Sequence, residues 1–406
     1  RRGPRRTLPP AMMRHAAAAW AALAAAVAGT DPDPAFVRTV FVEYRDGDSQ
    51  GHFDLGVALG RAAGAAMREA WRGDAELRAM EDWTASGEGR RVFEGLVEGS
   101  NRSFPLYTRE VEGMAVGARI PLRRLLVNQL REELGQWVNA AVGRQRVGHC
   151  TDAYALDPGA GVTALGHNDD WDVYWRNETY VVVATALDGD GGVKFRFGTW
   201  VYPGYLLGEQ LNWNSHGLVW TCNSLFPRRF LSSGVGTAWV ARHMVEAQSV
   251  EDLVQRAADP RVSTAMNYNV GSLGEKALWN LEVDAGGVHM LERVAGPAYV
   301  HTNEFKLLNS PQFPEASSEH RQRRWEELRP RTVHELRAFL SDRKDPHWPV
   351  WRNRTGGDNC YTQVTGLFDL ERRTLSLWTV PAASGPPQLE LPLDFPPPPP
   401  AVALYA

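Results

Sequence analysis

The residue pattern changes period at Cys150, and that change restricts the fold more than any other feature of the chain. Before it, one strand-like run from Val37 to Tyr44 is followed by helical patterns, in which Leu122, Leu126, Leu130 and Leu134 recur on one face. After it, alternating runs predict strands at 178–187, 193–202, 217–222, 277–284, 287–294, 361–370 and 374–380. Helical stretches near 238–258 and 318–343 interrupt them. Many antiparallel strands with helices grouped between them predict an α+β fold of helices layered on stacked sheets. The chain thus divides into a lead at 1–30, a mainly helical segment at 31–149, a strand-rich segment at 150–390 within the same folded unit, and a tail at 391–406. Five consecutive prolines after Phe395 cannot pair in a sheet, so the tail reads as extended and solvated.

With 43% hydrophobic and 10% aromatic residues among 406, the chain can fill a core. A net charge of -4 supplies no basic field for nucleic acid, and the arginine runs at Arg1–Arg6 and Arg321–Arg324 are too short to create one. Three cysteines, Cys150, Cys222 and Cys360, cannot be a disulfide framework and leave at least one free thiol. No cofactor or membrane span is expected. Met12–Thr30 has the layout of a signal peptide, and glycosylation sequons begin at Asn101, Asn177 and Asn353. An alanine-rich lead of another origin fits equally well, so secreted and cytoplasmic placement both stay open.

Around Cys150 the string Val147-Gly148-His149-Cys150-Thr151-Asp152 leads through a turn to Gly166-His167-Asn168-Asp169-Asp170-Trp171. This reads as two strands, the first beginning at a thiol. Cutting the chain between His149 and Cys150 would give Cys150 a free α-amine, whose ordinary pKa of roughly 7.7–8.0 suits a general base. One residue would then supply nucleophile and base.

The Cys150 segment, Gly166-x-Asn168-x-Asp170-Trp171, Asn214 through Leu218, His301-Thr302-Asn303 and Ser318-x-x-Arg321 together resemble the penicillin acyltransferase (acyl-coenzyme A:6-aminopenicillanate acyltransferase-like) family of N-terminal-nucleophile hydrolases. Within that family the chain is similar to the animal branch, typified by the β-alanyl-dopamine hydrolase of insects. Glu112–Gly117 and Leu126–Leu130 fit the family's pro-segment, so the resemblance runs from about Val37 to about Pro381. It implies a four-layer αββα sandwich and self-cleavage into two chains that stay associated. Cys150 would attack an amide carbonyl and form a thioester. Asp170 would orient the α-ammonium, Asn303 would donate to the oxyanion, and Asn223 and Arg321 would line the substrate site. The substrate would be a small N-acyl amide, with β-alanyl amines first in line. Family members often carry glycine before the cysteine, where this chain has His149, which could instead assist proton transfer during processing.

Other readings compete. Asp169 and Asp172 read as solvated turn carboxylates. A papain-like protease would combine Cys150 with His301 and Asn303, but such cysteines open helices rather than strands. A metal site on His167, Asp169 and Asp170 is disfavoured because adjacent aspartates point to opposite faces of a strand. Tryptophans 171, 175, 200, 213 and 220 suggest an aromatic pocket, although core packing is their commoner use. An uncut, inert precursor would serve only as an interaction module.

Overall fold

The computed structural model describes residues 37–141, 150–354 and 360–395, with side chains from 139 to 141 excepted. The 1–30 lead, the His149 side of the expected cleavage site and the run of prolines lie outside these residues. Among the described residues there are ten α-helices and fourteen strands, a mixed α+β fold as the sequence predicts.

The segment before Cys150 begins with β1 (Thr39–Arg45), followed by α1 (Ser49–Gly73), α2 (Ala75–Trp83), α3 (Gly87–Ser103), α4 (Pro105–Ala118), α5 (Leu122–Gln129) and α6 (Arg131–Ala141). Asp48 starts α1 by accepting from the Gln50 and Gly51 amides, which would otherwise lack partners. Helices α1 and α4 meet backbone to backbone. A Cβ at Gly56 would lie 2.0 Å from the Glu110 carbonyl oxygen, and one at Gly113 2.0 Å from that of Phe53, so both positions require glycine.

The leucine repeat does not form one helix. Its pattern breaks at Leu130 between α5 and α6, although Leu126, Leu130 and Leu134 are buried as expected. At the break, Asn128 and Gln129 turn their amides to the Gly204 carbonyl, while buried Arg131 pairs with Asp74 and Glu76. Leaving such a charge unpaired would cost more than a helix interruption.

After Cys150 come β2 (Thr151–Asp157), β3 (Val162–Asp172), β4 (Tyr180–Leu187), β5 (Val193–Val201), β6 (Leu211–Asn214), β7 (Leu218–Ser224), α7 (Thr237–Met244) and α8 (Val250–Ala257). Then follow β8 (Met266–Ser272), β9 (Ala277–Val283), β10 (His289–Arg293), β11 (Ala298–His301), α9 (Ala316–Leu328), α10 (Val333–Leu340), β12 (Cys360–Asp369), β13 (Thr374–Trp378) and β14 (Leu389–Pro392). Each long helical stretch expected here is two helices. Ser249 caps α8 anew, and between α9 and α10 a left-handed Arg329, Pro330 and the Thr332–Glu335 capping box end one helix and start the next. Strands β6, β8, β11 and β14 escape the pattern because they are short or, like β8, buried on both faces with asparagines inside.

The strands form an eight-stranded sheet, β1-β4-β5-β6-β7-β8-β9-β10, and a six-stranded sheet, β11-β2-β3-β12-β13-β14. All neighbours are antiparallel except β1 and β4, so the segment before Cys150 supplies an edge strand to a sheet built by the segment after it. Tyr154 and Leu165 from the six-stranded sheet pack with Val181, Val183, Trp200, Trp213 and Val219 from the eight-stranded sheet. The alternate residues Val182, Ala184, Phe197 and Trp220 pack with Leu55, Leu59, Met114 and Trp239 of the helices. On the six-stranded sheet, Ala153, Ala155 and Ala164 meet Trp325, Leu336, Phe339 and Leu340. Each fully buried aliphatic or aromatic side chain contributes on the order of 1.5–3 kcal/mol. Trp175, Trp200, Trp213 and Trp220 are all fully buried core residues, not the walls of a pocket, and Phe395 stacks on Trp213.

Candidate active site

Cys150 immediately precedes β2, whose register with β3 places Thr151 opposite Asn168 and Asp152 opposite His167. Strand alternation then sorts the side chains. Cys150, Asp152, His167 and Asp169 share the face of Tyr154 and Leu165, toward the eight-stranded sheet. Thr151, Asn168 and Asp170 share the face of Ala153 and Ala164, toward α9 and α10.

On the latter face Arg321, from α9, joins the elements. Its Nη1 donates to the Cys150 carbonyl and, at 2.8 Å, to the Thr151 hydroxyl. Its Nη2 donates to Asn303 Oδ1, also at 2.8 Å. Glu315 caps α9 and so fixes the helix that carries this arginine. Asn303 in turn donates Nδ2 to the Ser224 carbonyl at 2.9 Å, and its backbone amide donates to Ser318 Oγ. With Oδ1 held by a guanidinium, the orientation of the Asn303 amide is set, and one of its two Nδ2 protons remains available. Asp170 accepts from the Thr362 hydroxyl and has Arg352 Nε at 3.7 Å. Asn168 is structural: it donates to the carbonyls of Leu340 and Val350 and accepts from Thr365.

Asn223, on β7, donates toward the Thr302 carbonyl at 3.2 Å and abuts His301. His301 cannot act on Cys150. Its Nδ1 lies 2.7 Å from the Thr302 carbonyl and its Nε2 2.9 Å from Glu282, so both ring nitrogens are occupied. Together with the strand position of Cys150, this disposes of the papain-like arrangement.

Sequence reading missed or misjudged several further residues, most of them on the opposite face. Asp169 is fully buried, not a solvated turn carboxylate, and its Oδ1 lies 3.9 Å from Cys150 Sγ. Asp172 is half-buried and accepts from Tyr174 at 2.7 Å, again not a free turn residue. His167 places Nδ1 2.9 Å from Asp152 Oδ2, and the other Asp152 oxygen accepts from Thr221 on β7. The metal set considered from sequence is not assembled, since Asp170 faces away. Cys150 stands in its place: its sulfur, a His167 nitrogen and an Asp169 oxygen lie within 4.8 Å of one another. Thiol, imidazole and carboxylate at that spacing can hold a divalent ion or pass a proton. The signal for this group was present in the sequence as the i, i+2 spacing of Cys150/Asp152 and His167/Asp169, once the strand register is known.

Burial governs the electrostatics. The Cys150 thiol is pushed well up by burial and by Asp169 and Asp170, with the Asp170 amide opposing. Burial raises Asp169 to about 7 against the pull of His167, and Asp170 to about 6 against Arg352 and Thr362. Burial alone would lower His167, but Asp152 outweighs it and the ring titrates above its usual range.

The match to known proteins covers part of this geometry. The family model described as acyl-coenzyme A:6-aminopenicillanic acid acyl-transferase matches residues 158–380, which include Asp170, Asn223, Asn303 and Arg321 and begin just after Cys150. The chain is also 24% identical over 367 residues to the beta-alanyl-dopamine/carcinine hydrolase of Drosophila melanogaster, covering 85% of this chain and 94% of that protein. Matched by the family model over more than half its length, this chain belongs to the acyl-coenzyme A:6-aminopenicillanic acid acyl-transferase family.

Proposed function

We propose that the chain is an N-terminal-nucleophile amidohydrolase or acyltransferase, activated by its own cleavage before Cys150, and that its packing order of helices, sheet, sheet and helices is that class's αββα sandwich. The observation that carries this reading is the Arg321 guanidinium, which ties the Cys150 carbonyl to Asn303 and so holds a nucleophile and a neutral donor in one frame.

In the cleaved protein the Cys150 α-amine takes the Sγ proton, and the thiolate adds to the substrate's amide carbonyl. The free Asn303 N–H donates to the oxyanion, and Asp170 steadies the α-ammonium. Collapse expels the amine, which takes the proton from the α-ammonium, and leaves a thioester on Cys150. Water or a second amine then adds to the thioester, giving an acid or a new amide and restoring the thiol. Asn223 and Arg321 shape the acyl site. The pairing of β1 with β4 supports continued association of the two chains after cleavage.

The substrate class is a small N-acyl amine, with β-alanyl amines first because of the insect hydrolase to which the chain is similar. A panel of N-acyl amines assayed with wild type and Cys150→Ala tests it. Turnover of β-alanyl amines that disappears in the variant supports the reading, whereas turnover of long-chain acyl amides alone would reject the substrate class. Activity retained by Cys150→Ala would remove the nucleophile.

A further inference from the structure

The proposed chemistry leaves one step without a base. Before cleavage the Cys150 nitrogen is an amide, with no lone pair to accept a proton, yet the thiol is buried and beside two aspartates. Resting on the functional reading above, we propose that His167, oriented by Asp152, is the proton acceptor for the Cys150 thiol while the chain is still uncut.

The geometry has the parts of a nucleophile–imidazole–carboxylate relay, built from one strand pair. Asp152 and His167 are directly opposed across β2 and β3, two positions along from Cys150 and Asp169 on the same face. Asp152 holds His167 Nδ1 at 2.9 Å and is itself held by Thr221, so in the neutral ring Nδ1 carries the proton and Nε2 presents a lone pair. His167 is fully buried, and among the described residues Nε2 has no hydrogen-bond partner. Such a nitrogen is costly unless it serves something, and the His167 ring has a nitrogen within 4.8 Å of the Cys150 sulfur.

Asp169 Oδ1 lies 3.9 Å from the sulfur but is the poorer acceptor. A proton passed to Asp169 leaves the thiolate beside a neutral acid that offers it no attracting charge, whereas proton transfer to imidazole forms an attracting pair. Asp152 does most to steady the imidazolium, with smaller contributions from Asp169 on the same face and from Asp170 across the strand.

The step balances as follows. The Sγ proton moves to His167 Nε2, and the sulfur electron pair forms a bond to the carbonyl carbon that precedes Cys150. The C–N bond breaks, and His167 returns its proton to the Cys150 nitrogen, which becomes the free α-amine. Water then hydrolyses the thioester, releasing the upstream chain's carboxylate and the thiol.

The test compares wild type, His167→Gln, Asp152→Asn and Asp169→Asn. It follows across pH both the appearance of the Cys150-led fragment and the iodoacetamide labelling of Cys150, located by peptide mass. His167→Gln should slow cleavage by roughly 10²–10⁴-fold and abolish the acid limb of the labelling profile. Asp152→Asn, which keeps the shape, should move that limb to lower pH. Unchanged cleavage and labelling in both variants, or a loss that follows Asp169→Asn alone, would overturn the assignment. If wild type never cleaves, the autoproteolytic reading falls. The labelling profile then decides the role of His167 separately: loss of the acid limb in His167→Gln upholds it, and an unchanged limb rejects it.

Discussion

The guanidinium of Arg321 donates to the backbone carbonyl of Cys150, its partner 171 residues earlier in the chain, and thereby fixes the residue that leads into β2 against α9. Because the same group holds Asn303, a change here disturbs nucleophile and donor together. Arg321→Lys should fold yet lower kcat/KM by about 10²-fold, since an ammonium cannot span both oxygens and small misplacements at a reacting centre are costly. Steady-state kinetics beside a melting curve checks this.

Asn303→Ala removes the proposed oxyanion donor. Turnover should fall by about 10²–10³-fold in kcat, with KM little changed, because the bond is made to the transition state rather than to the ground state. An effect confined to KM would place Asn303 in substrate binding instead.

Asn168 lies in the same motif as Asp170 but bonds only to the scaffold carbonyls of Leu340 and Val350 and to Thr365. Asn168→Ala should therefore cost stability, about 2–3 kcal/mol in denaturant unfolding from the buried groups left unsatisfied. Protein that remains folded should keep most of its catalytic rate.

Burial raises Asp169 to about 7 and Asp170 to about 6, both above the ordinary aspartate range. Between about pH 4 and pH 7 the folded chain thus retains protons that the unfolded chain has released. These groups make stability fall as pH rises through that window and level off above it. Asp169→Asn should flatten the slope and stabilise the fold at pH 8 by roughly 2–4 kcal/mol, with little effect at pH 4. Melting temperatures across pH 4–8 test both statements.

Much of this was legible in the sequence. The strand runs on either side of the Cys150 turn, and the helices before it, follow from periodicity, because alternation reports a half-buried sheet directly. Strand β8 was not legible: Asn267 and Asn269 are buried among strand neighbours, and polar residues on a fully covered strand erase the pattern. The split at Leu130 was hidden for a related reason, since it is set by Arg131 reaching Asp74, a contact 57 residues distant. In the site, Cys150, Asn303 and Arg321 were named from motifs and are joined by hydrogen bonds. His167, Asp152 and Asp169 depended on a register that only the folded ladder reveals, and so Asp169 was misread as solvated.

The measurement that bears most directly on the central claim is the intact mass and N-terminal sequence of the purified protein under denaturing conditions, beside Cys150→Ala. The account predicts two fragments, the second beginning at Cys150, and a single uncut chain for the variant. A wild-type chain that stays whole while hydrolysing amides, or a Cys150→Ala chain that is still cut at the same bond, would contradict it.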